Sequence, residues 1–129
     1  MFKMNKNVFA LLLLPLFVAG CGSVITNLTP TTYHRDPSGF YRVEAEWKSS
    51  REAIRNNSFN PSVMVATKAY PMRPVQLVRD RWEGFIPVPP NEDVVYYHYK
   101  FDFQINAVAQ PHPDSLLSSD YALKIVPPK

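Results

Sequence analysis

The segment Val94–Ile105, VVYYHYKFDFQI, alternates strictly between two kinds of side chain. A β-strand turns successive side chains to opposite faces, so this pattern gives one apolar face on a core and one polar face towards water. The segment is rich in β-branched and aromatic residues and contains neither Gly nor Pro, which favours a strand. The apolar face is predicted to comprise Val95, Tyr97, Tyr99, Phe101, Phe103 and Ile105, and the open face Tyr96, His98, Lys100 and Asp102.

Shorter segments elsewhere carry the same alternation and predict further strands. They are residues 40–47 (FYRVEAEW), 62–70 (SVMVATKAY), 82–88 (WEGFIPV) and 121–126 (YALKIV), with 75–79 as a candidate short strand. Proline-rich turns separate them, because proline cannot donate a ladder hydrogen bond. Five to seven strands at this spacing predict an all-β fold, an antiparallel immunoglobulin-like β-sandwich.

Three connections in this scheme are less regular. Residues 48–57 contain Ser49 and Glu52 at the spacing of a capping box, so one or two helical turns, a continued strand or a loop are all open. The SLLSS segment at 115–119 is interpreted as a brief turn or helix. We expect PPNED, residues 89–93, to join 82–88 and 94–105 as a hairpin.

The N-terminus has the pattern of a secretory signal. A basic start with Lys3 and Lys6 precedes an apolar run, residues 8–18, that is too short to span a bilayer. The junction Val18-Ala19-Gly20-Cys21 resembles the lipobox of bacterial lipoproteins at every position. The alternative is an ordinary cleaved signal with a chance cysteine.

The lipobox resemblance implies that the chain is cut before Cys21, which is then lipidated, and that its new amino terminus is acylated. Three acyl chains, such as palmitate, would anchor it permanently, since one chain alone anchors only marginally. Gly22 stands where an Asp would retain such a protein at the inner membrane, which favours the outer membrane, with the domain facing the periplasm or the cell surface. The predicted organisation is a signal peptide (1–20), a lipidated N-terminus and tether (21–38), and a β-sandwich domain (39–129).

Charge and cysteine content exclude several classes of protein. Cleavage removes two of the 14 basic residues and none of the 11 acidic ones, leaving a net charge of +1. Nucleic-acid binding needs a basic surplus that this chain lacks. Cys21 is the only cysteine, so no disulfide can form within the chain.

No pattern of catalytic or metal-binding residues stands out. The three histidines, His34, His98 and His112, lack ligand spacing, so no metal or other cofactor is expected. The serines near His112 and Asp114 are not in a nucleophile elbow. Glu44 and Glu46 alternate with Arg42, which predicts a charge-paired strand face. We therefore expect a protein that is not an enzyme.

A binding role is harder to exclude. The segment 81–103 resembles the region of starch- and glycogen-binding modules where a Trp-led strand, a proline-containing turn and a YKF strand follow one another, although the tryptophan expected soon after YKF is missing. The resemblance implies that Trp82 and Tyr96 stack on sugars. The alternative, which we favour, is that Trp47 and Trp82 are core aromatics.

Two surfaces are candidates for a partner. One is the open face of 94–105 with Tyr96 and His98 beside Lys100, and the other is the YPMRP segment with Tyr70, Met72 and Arg73, because aromatic residues, Met and Arg are enriched in interfaces. The expected function is that of an outer-membrane-anchored lipoprotein acting as a non-catalytic accessory or structural subunit of a cell-envelope assembly, with a protein partner. A surface or periplasmic glycan-binding lipoprotein is the competing hypothesis, and a divergent hydrolase is the third.

Overall fold

The structure, a computed structural model, describes residues 23–49, 54–55 and 58–129, and within these ranges it is all-β. Cys21 with the rest of the lipobox and most of the possible helical turn at 48–57 lie outside the described residues. No helix in the described ranges is long and apolar enough to cross a bilayer. The ten strands are β1 Ser23–Asn27, β2 Thr32–His34, β3 Phe40–Ser49, β4 Asn60–Val65, β5 Lys68–Pro71, β6 Arg73–Pro74, β7 Arg81–Pro87, β8 Val94–Ile105, β9 His112–Leu117 and β10 Tyr121–Val126.

The strands form two sheets packed as a sandwich. Sheet I has the order β1-β3-β7-β6, and sheet II has the order β2-β10-β8-β4-β5, with β9 also paired to β8. These orders correspond to the A-B-E-D sheet and the G-F-C-C′ sheet of an immunoglobulin-like sandwich. The predicted fold class is confirmed, and the described residues form ten strands in place of five to seven, with one parallel pair, β2 with β10.

Strand β8 has the predicted bounds and lies at the centre of sheet II. It pairs with β4 along one edge and with β10 and then β9 along the other. Its odd positions from Val95 to Phe103 are buried, and Tyr99 and Phe101 have no exposed surface. The alternation therefore identified the core-facing side chains, because neighbouring strands and the opposite sheet cover the same face.

The predicted hairpin between 82–88 and 94–105 is wrong. Strand β7 pairs with β3 and β6 in sheet I, whereas β8 belongs to sheet II. The chain crosses between the sheets after Val88, whose N–H donates to the Gly39 carbonyl at 2.9 Å. Both strands have an apolar face, and those faces meet across the sandwich; periodicity specifies a face but not a hydrogen-bonding neighbour.

Three local predictions also need correction. The single strand expected at 62–70 is the hairpin β4–β5, which turns at Ala66 with a φ of 55°. Alanine seldom adopts a positive φ, so the VATKA segment carries no turn signal. Residues 75–79 are turn and loop rather than strand, and 115–119 begins within β9 rather than forming a turn or helix.

The tether predicted for 21–38 is wrong over its described part, which contributes β1 and β2 to the two sheets. Partly buried hydrogen bonds hold the crossing between them. The Tyr99 hydroxyl donates to Asn27 Oδ1 at 2.6 Å, and Thr29 Oγ1 accepts from the Glu44 N–H at 2.8 Å. Burial raises the pKa of the Tyr99 hydroxyl, so it stays a neutral donor. Polar residues placed in this way give a hydrophobicity pattern that resembles the pattern of a linker.

Candidate functional site

The outer face of sheet II, formed by the even positions of β8 and the side chains level with them, holds the first candidate surface. Tyr96 is 67% exposed because its partner on β10 is the small Ala122. Leu117 of β9, opposite Lys100, is 59% exposed, and Val94 is 42% exposed. This face therefore presents an aromatic ring and two aliphatic side chains to solvent from two adjoining strands.

Charged groups on the same face are arranged in pairs. His98 Nδ1 lies 3.3 Å from Asp120 Oδ1, and Lys100 Nζ lies 3.8 Å from Asp102 Oδ1. A shallow depression of about 300 Å³ adjoins them, where Ser62 and Ala69 leave space beside Met64. The face can form apolar contacts at Tyr96 and directional polar contacts around His98 without exposing a single sign of charge.

The second candidate surface is only partly formed. Tyr70, Met72 and Arg73 meet at the edge between β5 and β7, lining a depression of about 390 Å³ with Glu83 and others. Met72 is buried, however, so its predicted role as an exposed contact residue is wrong. Its Cγ lies 3.2 Å from where a Cβ on Gly84 would stand, and this close approach explains a glycine within β7.

Tyr96 does not form a joint patch with Tyr70 or Met72 of the second candidate surface. Tyr70 pairs with Val63, which also pairs with Tyr99, so the three residues lie level. Val63 and Tyr99 are fully buried on the inner face, and Tyr70 is partly buried against the same core. Tyr96 has the opposite parity along β8 and points outwards. Tyr96 and Tyr70 therefore lie on different sides of sheet II.

Trp82 lies on the inner face of sheet I. Its ring centroid is 6.3 Å from that of Phe101, and it lines a pocket of about 250 Å³ with Trp47 and Phe59. Trp47 is 4% exposed, as expected of a core aromatic, and Trp82 is partly buried against the same core. Because Trp82 faces inwards and Tyr96 outwards from the other sheet, the two predicted sugar-stacking residues do not form one platform.

The outer face of sheet I is a network of ion pairs. The Arg42 guanidinium lies 2.7 Å from Glu44 Oε1 and 2.6 Å from Glu83 Oε1, while Arg73 reaches the other Glu83 oxygen at 3.1 Å. The prediction of a charge-paired face is confirmed for Arg42 and Glu44. Hydrogen bonding from the Arg42 guanidinium lowers the pKa of the Glu83 carboxyl and raises that of Arg42.

Replacing Glu83 with Gln is expected to reduce the free energy of unfolding by about 1 kcal/mol at pH 7, the upper end for a partly exposed ion pair. The lowered pKa means that this contribution is complete above the unfolded value of roughly 4.3 and is lost as the pH falls through the folded value. Urea denaturation between pH 7 and pH 3 should show that the free energies of unfolding of the unaltered and the Glu83→Gln proteins become equal in acid. The exposed Glu92→Gln is the control, and an equal pH profile for both variants would contradict the assigned role.

The serine, histidine and aspartate residues near 112–119 serve the strand pairing. Ser118 Oγ accepts from the Tyr99 N–H and donates to the Ser119 carbonyl, both at 2.8 Å, where β9 gives way to β10. The Asp114 carboxylate accepts from the Ser115 N–H at 2.8 Å. Within 23–49, 54–55 and 58–129, no three His, Cys, Asp or Glu side chains lie close enough together to hold a metal ion.

Sequence reasoning missed two contributors to the outer face of sheet II. The SLLSS segment predicts a brief turn or helix at Leu117, and the predicted open face does not include Val94. The pairing of β9 with β8 brings Leu117 level with Lys100, which depends on a contact 17 residues apart in the chain. The SLLSS segment does not predict that pairing, because apolar and polar residues alternate over too few positions to indicate a strand.

Comparison with known proteins adds little. No protein-family model and no curated protein matches the chain. Among solved structures it is similar to a DUF4785 family protein from Legionella pneumophila, with 8% sequence identity and a TM-score of 0.39. The match covers 80% of this chain and 28% of that one, so this chain spans less than a third of the other's length.

Proposed function

We propose that this protein is an outer-membrane-anchored lipoprotein whose sandwich is a non-catalytic accessory or structural subunit of a cell-envelope assembly. The observation that carries the proposal is the exposed Tyr96 ring on an uncovered sheet face, which also presents Val94 and Leu117. Through this face the domain binds a protein partner.

A protein fits this face better than a small molecule. The face is a nearly flat sheet with one shallow depression, whereas small-molecule sites are concave and enclose most of the ligand. Tyrosine is among the residues that dominate binding energy at protein interfaces. His98, Lys100 and Asp102 are the next outward positions along β8 and add polar groups beside the Tyr96 ring, and protein interfaces combine an apolar core with a polar rim.

The position of the face also supports a binding role. Tyr96 and His98 are on β8, which is hydrogen-bonded along both edges and has a fully buried inner face. Such a strand holds its outward side chains in place before a partner arrives. Less conformational entropy is then lost on association.

The lipid anchor rests on the lipobox match ending at Cys21, two residues before β1 begins at Ser23. A cysteine with no second cysteine to pair with, directly after a signal peptide, is accounted for by lipidation. The anchor would hold the domain at the membrane and restrict its search for a partner to that surface.

Changing Tyr96 to Arg is expected to weaken partner binding at least tenfold, since losing an aromatic hot spot costs about 2 kcal/mol or more. The measurement is affinity purification of the anchored protein in mild detergent, followed by titration of the recovered partner. The fold should survive because Tyr96 is mostly exposed.

Phe40→Arg is the matched control, because Phe40 is 53% exposed on the outer face of the other sheet. It should retain the partner. Equal recovery of partners by the two variants would reject the outer face of sheet II as the binding surface.

A further inference from the structure

The outward positions of β8 fall in pairs about His98. Tyr96 and Lys100 are each two residues from it along the strand, and Val94 and Asp102 are each four residues from it. Outward side chains repeat every second residue, so the two members of each pair lie at equal distances on either side of His98. The two halves of the outer face of sheet II can therefore be compared position by position.

The neighbouring strands extend the same arrangement sideways. Strand β10 lies beside the first half of β8, and β9 lies beside the second half, along the same edge. The register places these outward residues opposite one another: Lys124 and Val94, Ala122 and Tyr96, Leu117 and Lys100, Ser115 and Asp102. On the other edge, Met64 of β4 pairs with His98 itself, so the centre of the face carries Met64 beside His98.

The two halves of the face carry complementary groups. Tyr96 presents an exposed ring at the position where the other half has the Lys100 ammonium, and a cation is attracted to the face of an aromatic ring. The small Ala122 corresponds to Leu117, which is 59% exposed and projects from the face. A side chain that projects in one half therefore matches a small or attractive group in the other.

Charges on the face are balanced. The outward positions of sheet II carry three charged residues, and they are Lys100, Asp102 and Lys124. Asp120, in the connection between β9 and β10, adds a fourth charge, so two cations meet two anions. Lys124 forms no ion pair with any residue that the structure describes, whereas Lys100 and Asp120 each have a partner. An identical face is not repelled by this one, and its Asp102 can pair with Lys124.

We infer that the partner of this face is a second copy of the chain, related by a two-fold axis that lies in the interface and crosses β8 at His98. The inference rests on the proposed function and names the partner of the same surface. The two copies of β8 then run antiparallel, with the sheets about 10 Å apart. Three contacts form, each of them twice: Tyr96 with Lys100, Leu117 with Ala122, and Lys124 with Asp102 of the other copy.

A two-fold axis along β8 gives none of these contacts. It would place each residue of the row on its own counterpart, Lys100 on Lys100 and Asp102 on Asp102, and like charges in contact oppose association. With the axis across β8, the residues nearest the axis are His98, Met64 and Asp120. Methionine packs adaptably, and each Asp120 carboxylate lies 3.3 Å from the His98 Nδ1 of its own copy.

The area of the face is in the range of a specific dimer. Its six strands have a projected area of roughly 600 Å² at about 3.3 Å per residue and about 4.8 Å between strands. Two such faces together reach about 1,200 Å², where specific interfaces begin, and the relief of the side chains adds to this value.

The same axis keeps both lipid anchors on one side of the dimer. It runs across the strands of sheet II, from the β2 edge to the β5 edge. Strands β1 and β2 are edge strands of the two sheets, and the four residues 28–31 that join them span at most about 14 Å. The β1 edges of both copies therefore face the same end of the axis. Two chains lipidated at Cys21 can insert into one leaflet, which raises their effective concentration for pairing.

The test exchanges charges in the lipidated full chain, with the mass in mild detergent measured by sedimentation equilibrium. Lys124→Glu alone and Asp102→Lys alone should each raise the dimer dissociation constant about tenfold or more, because two contacts per dimer become repulsive. An equimolar mixture of the two variants should return to within about threefold of the unaltered chain. In the mixed dimer one contact is the unaltered pair, and the other is the same pair with its charges exchanged.

Two further variants locate the interface. Tyr96→Arg should weaken the dimer in the same assay, and Phe40→Arg, on the outer face of sheet I, should leave it unchanged. The fold should survive in the charge variants, because Lys124 is exposed and the Asp102 side chain is 41% exposed. A monomeric unaltered chain, a dimer that Tyr96→Arg leaves intact, or a mixture that fails to recover would each overturn the inference.

The results also separate this inference from the proposed function. A monomer that recovers a different protein through Tyr96 in affinity purification would overturn the second copy as the partner and leave the proposed function standing. A chain that forms no dimer and recovers no protein through Tyr96 would reject both. Recovery of the dimer in the mixed sample supports the second copy, because a different protein on this face would not be rescued by mixing.

Discussion

Replacing Cys21 with Ala is expected to move the protein from the membrane fraction to the soluble periplasmic fraction. The change removes the only thiol in the chain and with it the expected attachment site for lipid. Burial of acyl chains contributes about 0.8 kcal/mol per CH₂, so losing them removes nearly all of the membrane affinity. Fractionation and detergent-phase partitioning measure the result.

Ser23→Ala is the control for this experiment. It alters a residue two places away, whose described contact is the side-chain hydrogen bond to Ser49, and leaves the lipobox intact. It should stay in the membrane. Persistence of the Cys21→Ala protein in the detergent phase would refute the anchor.

Replacing Trp47 with Ala is expected to lower the free energy of unfolding by about 3–5 kcal/mol, the range for a large buried aromatic. The Trp47 ring centroid lies 4.7 Å from both Phe59 and Phe101 and 5.1 Å from Phe103, so it contacts aromatic rings of sheet II directly. Domains of this size are stable by only about 5–15 kcal/mol. Urea or thermal denaturation should show a protein near its stability limit.

Trp47→Phe separates packing from polarity at this position. No acceptor among the described residues bonds to the buried Trp47 Nε1, so phenylalanine removes an unpaired donor while keeping an aromatic ring. The Trp47→Phe change should lower the free energy of unfolding clearly less than Trp47→Ala does. Trp82→Ala should also cost less, because Trp82 is only partly buried. Equal losses from all three variants would contradict the central position of Trp47 in the core.

The candidate surfaces were predicted unevenly. Tyr96 and His98 were identified because strand parity alone assigns them to the face away from the core. Met72 was misassigned because its burial depends on Gly84 of another strand, which leaves room for the crossing chain.

Local alternation was sufficient to predict β8, its buried side chains and the all-β class, because a period of two is a property of neighbouring residues. Which strands pair with each other was not determined by neighbouring residues. Strands β7 and β8 lie in opposite sheets, and residues 62–70 form two strands that turn at Ala66. Residues 23–34 belong to the sandwich and are held there by hydrogen bonds from Tyr99 and Glu44. These features depend on contacts between segments that are distant in the sequence. A polar group can be buried at low free-energy cost only when its hydrogen-bond partner is also in place.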